Sequence, residues 1–482
     1  MGEIRTIPPR ATKTEWNALL DHSLEKTASY IVRSGSASGL YESINGSTGV
    51  ISYSGSDAAL VLRNSFSQLS AGGSVFLKKG TYVLTSKTAI TGRTYSGSII
   101  LTDNQALIGE CKSGSILKLG SAVGGNVVVI ENGSTIYDIQ IANLTINGTS
   151  GSQTDSGLDG DLCGIRGYIF QRSNIQNVHI YGCMREGLYV SDCQWNHYED
   201  IQCDNCGGEG FNWDSEALSD GVNIRAYNNA KRGLYIVGGA SQEAAWVTLL
   251  GGEASNNVQG GLTIYNAIGV SIYGFKAHRN GAVSSWYDGI YINNSTDIYL
   301  SDCQAYENYR AGFLGNASSR VTINGGCSYN NRYDGIDLAG DGMYLDGCQY
   351  WRVFGWDAFD SRTTKSQIYG IHSVTTSDYN TFIACDVRDN GSGTFSLSGS
   401  NNYLYRNRGY VTQNEGTLTL SSQSGSVAHD LASTPSRVQL TASGSSGNLY
   451  LGALTWYPSG SAGVYVVQTG SGTVAVNWRA EF

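Results

Sequence analysis

Residues 187–209, GLYVSDCQWNHYEDIQCDNCGGE, and residues 210–232, GFNWDSEALSDGVNIRAYNNAKR, are consecutive segments of 23 residues that both open on glycine and an apolar residue. The same opening stands at Gly164-Ile165, Gly187-Leu188, Gly210-Phe211, Gly233-Leu234, Gly261-Leu262, Gly289-Ile290, Gly312-Phe313, Gly335-Ile336 and Gly370-Ile371. The intervals are 23, 23, 23, 28, 28, 23, 23 and 35 residues. Apolar residues hold the second and fourth positions, as in Leu188/Val190, Leu234/Ile236 and Ile290/Ile292, and recur farther along as Val178/Ile180, Ile201/Cys203 and Ile298/Leu300. Alternation within short runs is the strand period, and three such runs per repeat make a three-sided coil. One coil cannot bury its own apolar face, so coils must stack and the stack must be capped.

Asn229, Asn308 and Asn331 share one turn position of the repeat, where stacked amides can satisfy turn backbone in a ladder. Cys183 and Cys206 fall in that same column, and Cys203 and Cys303 in inward apolar columns. The ten cysteines are therefore expected as buried thiols rather than disulfides or zinc ligands, since Cys203-x-x-Cys206 has no second CxxC and no spaced histidine.

The run GVISYSGSDAALVLRNSFSQLSAGGSVFLKKGTYVLTSKTAI (49–90) carries an N-cap at Asp57, a short helix with Ala59, Leu60, Leu62 and Phe66, and two strands around Gly80-Thr81-Tyr82. It resembles the entry segment of the pectate-lyase-like superfamily, which includes polysaccharide lyases, β-helical glycosidases, epimerases and viral tailspikes. The resemblance implies an all-β, right-handed three-sided parallel β-helix over residues 49–410. Before it, Trp16, Leu19, Leu20 and Leu24 lie on one side of a short helix, so 1–48 is read as a helix and cap or attachment segment. From 412 the repeat stops, and TLTLSS, SRVQLTA, NLYLGALTWY, GVYVVQ and TVAVNWRAEF predict a β-sandwich over 411–482. PPRATKTEWNALL looks similar to N-terminal segments of viral tail proteins, and SVAHDLASTPSRVQLT with the closing NWRAEF to small terminal domains of tail fibres and some archaeal surface proteins, which implies a homotrimer or a receptor-binding end.

A net charge of −9 without a Lys/Arg cluster argues against a nucleic-acid partner. No apolar run reaches the length of a membrane span, and the first thirty residues hold no secretory leader. The expected location is extracellular or on a virion surface, and the expected partner a polysaccharide. Tyrosine outnumbers phenylalanine 31 to 11, which supplies amphipathic rings of the kind sugar faces stack on.

The third position of each repeat points outward, and lengthened turns at 281–288 and 351–369 are expected to wall in the rungs between Gly289 and Gly370. Within that window lie Asp288, Asp334, Asp337 and His372 as candidate catalytic groups. Tyr291, Trp286, Tyr287, Trp356 and Arg332 are candidate substrate contacts, with Tyr235 and Tyr189 farther along the column. Asp288 and Asp334 share the position before glycine, two rungs or roughly 9–10 Å apart, a separation used by inverting glycosidases. Asp before glycine is equally a turn signal, and Glu186 and Glu209 hold the same position without long turns. A second group, Glu209, Asp214, Glu216 and Asp220, is a candidate for Ca²⁺ or a second sugar subsite, against the reading of a solvated acidic surface. No other metal or cofactor is expected.

Three functions follow: a glycoside hydrolase acting by paired aspartates, a tailspike-like glycan-recognising protein, or a non-catalytic surface adhesin. A lyase is less favoured, because Arg310 and Arg332 stand in turns and no outward strand position of the window is basic.

Overall fold

The computed structural model describes residues 28–410 apart from 36–38, 155–161, 240–245, 282–287, 333–339 and 375, together with strands between 413 and 481. The amphipathic segment 14–26 lies outside the described residues. The chain divides into two compact units, 1–231 and 232–482.

The first unit begins with antiparallel pairing of Tyr30–Ser34 on Tyr41–Asn45 and of that strand on Ile51–Gly55. The helix Ala58–Ser67 follows, its first turn satisfied by Asp57, whose carboxylate accepts from the Ala59 N–H at 3.0 Å. Such a cap contributes about 1 kcal/mol. Ala58, Ala59, Val61, Leu62 and Phe66 are buried, while Leu60 is exposed. Coils then stack in parallel. One face carries Ser96–Leu101, Asn126–Ile130, Ile165–Tyr168, Leu188–Ser191 and Phe211–Asp214. A second carries His197–Glu199 and Asp220–Val222, and a third Gln202–Asp204 and Arg225–Tyr227. Asn174–Tyr181 spans the corner between the second and third faces.

The second unit repeats the three faces. The first holds Arg232–Val237, Gly260–Tyr265, Ile290–Asn293, Phe313–Asn316, Met343–Asp346, Tyr369–Val374 and Gly393–Leu397. Residues 413–481 form two antiparallel sheets of three strands each.

The inward positions are those the alternation selects: Leu188, Val190, Cys203, Ile290, Ile292 and Leu300 are all fully buried. Each large apolar side chain so placed contributes about 1.5–3 kcal/mol. The column glycine is required by crowding, since a Cβ on Gly289 would lie 2.4 Å from the Asn308 amide nitrogen and 2.8 Å from the Gly312 carbonyl. In the second unit the amide ladder is continuous. Asn257 donates to Asn280, Asn280 to Asn308, Asn308 to Asn331, Asn331 to Gln367 and Gln367 to Asn390, at 2.7–3.2 Å. All ten cysteines are free thiols, eight of them buried.

The observed register departs from the sequence reading at Gly335. Phe313 pairs with Met343, and Met343 with Ile371, so Gly342 rather than Gly335 occupies the glycine column. The coil that opens at Gly312 has 30 residues, and its additional residues fall in the turn before Met343. Met343-Tyr344-Leu345 carries the same apolar alternation as the segment after Gly335, so counting in steps of 23 stops one candidate too early. Consequently 351–369 is no wall. It contains the ordinary strands Arg352–Phe354 and Asp357–Phe359, and Trp351 and Trp356 are fully buried. Trp356 packs edge-on against Phe313 at 4.4 Å inside the coil, so it is a core residue and not a substrate contact.

Candidate functional site

With the register corrected, the outward column of the second unit's first face reads Tyr235, Thr263, Tyr291, Leu314, Tyr344, His372 and Ser396. His372 is present as expected, and its neighbour one rung back is Tyr344 rather than Asp337. Asp334, Asp337, Trp286 and Tyr287 lie outside the described residues.

The position before the glycine holds Asp288 and, two rungs on, Asp341. The two carboxylates do the same local work. One oxygen of Asp288 accepts from the Ala311 N–H at 2.9 Å, and one oxygen of Asp341 accepts from the Tyr369 N–H at 2.8 Å, in each case one rung along. Both side chains are almost completely buried. Their second oxygens differ in partner: Arg310 Nη1 lies 3.7 Å from that of Asp288, and His372 Nδ1 lies 2.9 Å from that of Asp341. Asp288 is thus a turn clasp that also holds an arginine, and its burial removes it from direct contact with a substrate.

His372 keeps about a fifth of its side-chain surface exposed. An ionised carboxylate only accepts, so the imidazole donates from Nδ1 and carries its lone pair on Nε2 when neutral. Among the described residues nothing hydrogen-bonds to Nε2. The ring is boxed by Tyr344, edge-on at 5.2 Å, and by Tyr369 at 5.0 Å. The Arg310 guanidinium acts on the hydroxyls of both Tyr291 and Tyr344. Burial raises both phenols above their ordinary range, so each stands as a protonated donor, and Arg310 partly counters that rise. Asn316 donates to the Tyr291 hydroxyl at 3.4 Å. The window therefore gathers a carboxylate-oriented imidazole, two phenols and a guanidinium.

Arg332 sits in the turn in a left-handed conformation (φ 60°), and a Cβ on Gly340 would strike its stem at 2.2 Å. The two described ends of the 333–339 segment thus adjoin each other. Tyr235 lies under Arg232 at 4.3 Å. In the first unit Tyr189 lies under Arg166 at 4.3 Å and donates to Asp214 at 3.2 Å.

The second acidic group is dispersed. Glu209 pairs with Lys231 at 3.2 Å, Asp220 with His197 at 2.6 Å, and Asp214 with Tyr189. Glu216 is inside the coil, accepting from Ser219, Asn196 and Tyr198, and burial pushes its carboxyl up to about 7. Among the described residues no three His, Cys, Asp or Glu side chains converge as a metal site.

Sequence reasoning missed Asp341, Tyr344 and Tyr369. The available signal was the dipeptide Asp341-Gly342, which repeats Asp288-Gly289.

The family described as right handed beta helix region matches residues 223–350. No curated protein sequence matches the chain. Among solved structures, the A-module of a mannuronan C-5 epimerase from Azotobacter vinelandii is similar at 18% identity, covering 73% of this chain and 95% of that one, with a TM-score of 0.62. The Dettilon tailspike protein is 12% identical over 88% of this chain and 91% of its own, with a TM-score of 0.51. The tailspike protein of Pseudomonas phage LKA1 is 12% identical, covering 86% and 91%, with a TM-score of 0.50. At these identities the likeness is one of fold. No helix among the described residues is long and apolar enough to cross a membrane. Coil register, buried ladders and structural likeness agree that the chain folds as a right-handed parallel β-helix.

Proposed function

We propose that the protein processes a polysaccharide outside the cell or at a virion surface, and that the chemistry sits on the first face of the second unit around His372. The observation that carries this is the Asp341–His372 contact of 2.9 Å beside Tyr344, because it orients an imidazole whose other nitrogen is left for a substrate proton. Among the described groups, the reaction best served is elimination at a uronate. His372 Nε2 takes the proton beside the carboxylate, the bond to the leaving oxygen breaks as the carbon–carbon double bond forms, and Tyr344 protonates that oxygen. Arg310 offsets the carboxylate's charge. Tyr291 and Tyr235 extend the same column as substrate contacts, with Asp288 holding Arg310 in place.

A second reading, hydrolysis, keeps Asp334 and Asp337 as the acid and base. It rests on the position of those aspartates in the sequence, one short segment before Asp341. Trp286, Tyr287 and Arg332 then serve as substrate contacts, and the 411–482 segment as the oligomerising or receptor-binding end of a homotrimer. Incubation with a panel of neutral and acidic polysaccharides separates the readings. Elimination yields ultraviolet-absorbing unsaturated ends, hydrolysis yields reducing ends without them, and a binding-only protein yields neither.

A further inference from the structure

In the first unit, the outward column of the first face runs Ile100, Val129, Arg166, Tyr189, Asn212. Its beginning is covered: Ile90 and Tyr95 pack onto Val129 and Ile100, and Val129 is fully buried. At Arg166 the cover ends. The Arg166 guanidinium lies 4.2 Å from the Tyr95 ring and 4.3 Å from the Tyr189 ring, so an aromatic ring stands against it on two sides. Neither ring is free to drift. The Tyr95 hydroxyl donates to the buried carboxylate of Glu131, and the Tyr189 hydroxyl donates to Asp214.

The Glu131 charge reaches Arg166, but no carboxylate among the described residues closes an ion pair with it. Glu131, almost wholly buried, is ion-paired with Arg93, which itself stacks on Tyr168 at 4.0 Å. Asp214 is engaged by Tyr189 and by Ser215. Among the described residues Arg166 makes no hydrogen bond and no ion pair, and its Nε is buried without a partner. One rung beyond Tyr189, the Asn212 amide oxygen is likewise buried and unpartnered. An arginine in a chain of net charge −9 does not lack carboxylates for want of supply. Stacking that holds the guanidinium between rings also leaves its terminal N–H groups as the part free to bond, and that planar fork matches a carboxylate bidentately.

We propose that Arg166, held between Tyr95 and Tyr189, is a binding position for the carboxylate of an acidic sugar, with Asn212 meeting a hydroxyl of the same or the next residue. The proposal deepens the polysaccharide reading, on which it rests, by assigning the ligand to the uronate-bearing class. It concerns binding and does not require His372 to act.

The test is titration calorimetry of the full chain with oligogalacturonate, oligomannuronate and oligoglucuronate, and with a neutral cello-oligosaccharide. Wild-type protein is expected to bind at least one acidic oligomer, with affinity falling as salt rises. Arg166→Gln is expected to lose that affinity by about tenfold or more, the size of one charge-assisted bidentate contact, with the neutral oligomer unchanged. Arg166→Lys, which keeps the charge but not the planar fork, is expected to retain the salt dependence at several-fold weaker affinity; it also serves if the glutamine protein fails to fold. Unchanged binding in both variants overturns the proposal. So does turnover of a neutral polysaccharide by a protein that binds no acidic oligomer, a result that leaves the processing reading standing. Loss of turnover in His372→Gln with acidic binding intact supports both.

Discussion

Nδ1 of His372 and a carboxylate oxygen of Asp341 lie 2.9 Å apart, while the other oxygen of Asp341 accepts from the Tyr369 N–H at 2.8 Å. One buried side chain thereby joins two rungs and sets the orientation of a partly exposed imidazole. Asp341→Asn preserves the shape but offers a neutral amide to the ring. Turnover is expected to fall by about 10²- to 10⁴-fold with little change in KM, as for other imidazoles deprived of an orienting carboxylate. Initial rates on the processed polysaccharide, with circular dichroism to confirm folding, check this.

Glu216 makes the stability of the first unit pH-dependent. Its folded pKa, pushed up to about 7 by burial, exceeds the ordinary glutamate value of 4.5. Between those values the unfolded chain releases the proton first, so its stabilisation is complete below about 4.5 and is lost as pH rises through 7. The loss is at most about 3 kcal/mol. Glu216→Gln is expected to flatten the fall and to melt above the wild type at pH 8. Thermal melts across pH 4–8 decide it, and a parallel pair of curves contradicts it.

The amide ladder is a cooperative element of the second unit. Asn308 accepts from the backbone and side-chain amides of Asn280, and donates to Ala277 and Asn331. Asn308→Ala leaves several of these groups buried and unpaired, at about 1–3 kcal/mol each. A drop of at least about 3 kcal/mol in denaturant unfolding is expected; a loss below 1 kcal/mol shows that the ladder contributes little.

Trp356 distinguishes core from cleft. As a fully buried ring against Phe313, its truncation to alanine is expected to remove about 3–5 kcal/mol of stability. A cleft residue would instead lose substrate affinity with stability intact.

The β-helix was legible in the sequence because every coil must satisfy the same neighbours. Glycine at 187 or 289 is dictated by the rung beside it, and the inward pairs by the strand period. The site was less legible because function lies where that constraint relaxes. The seven extra residues before Met343 break the count, and a pattern of Gly-apolar-x-apolar fits equally at Gly335 and Gly342. Only strand pairing distinguishes them. The same ambiguity assigned Trp356 to a wall and hid Tyr344. Asp288 was read correctly as a position and its burial was not, because exposure of a turn carboxylate depends on the neighbouring rung, here the Ala311 N–H and Arg310.

Under the proposed function, proton transfer on a polysaccharide runs through His372. The most direct measurement is kcat/KM of wild type and His372→Gln on whichever polysaccharide the wild type degrades, with thermal melts alongside. A loss greater than about a hundredfold at unchanged melting temperature is expected. Activity within a few-fold of wild type in a folded His372→Gln protein contradicts it, and moves the chemistry away from the Asp341–His372 pair.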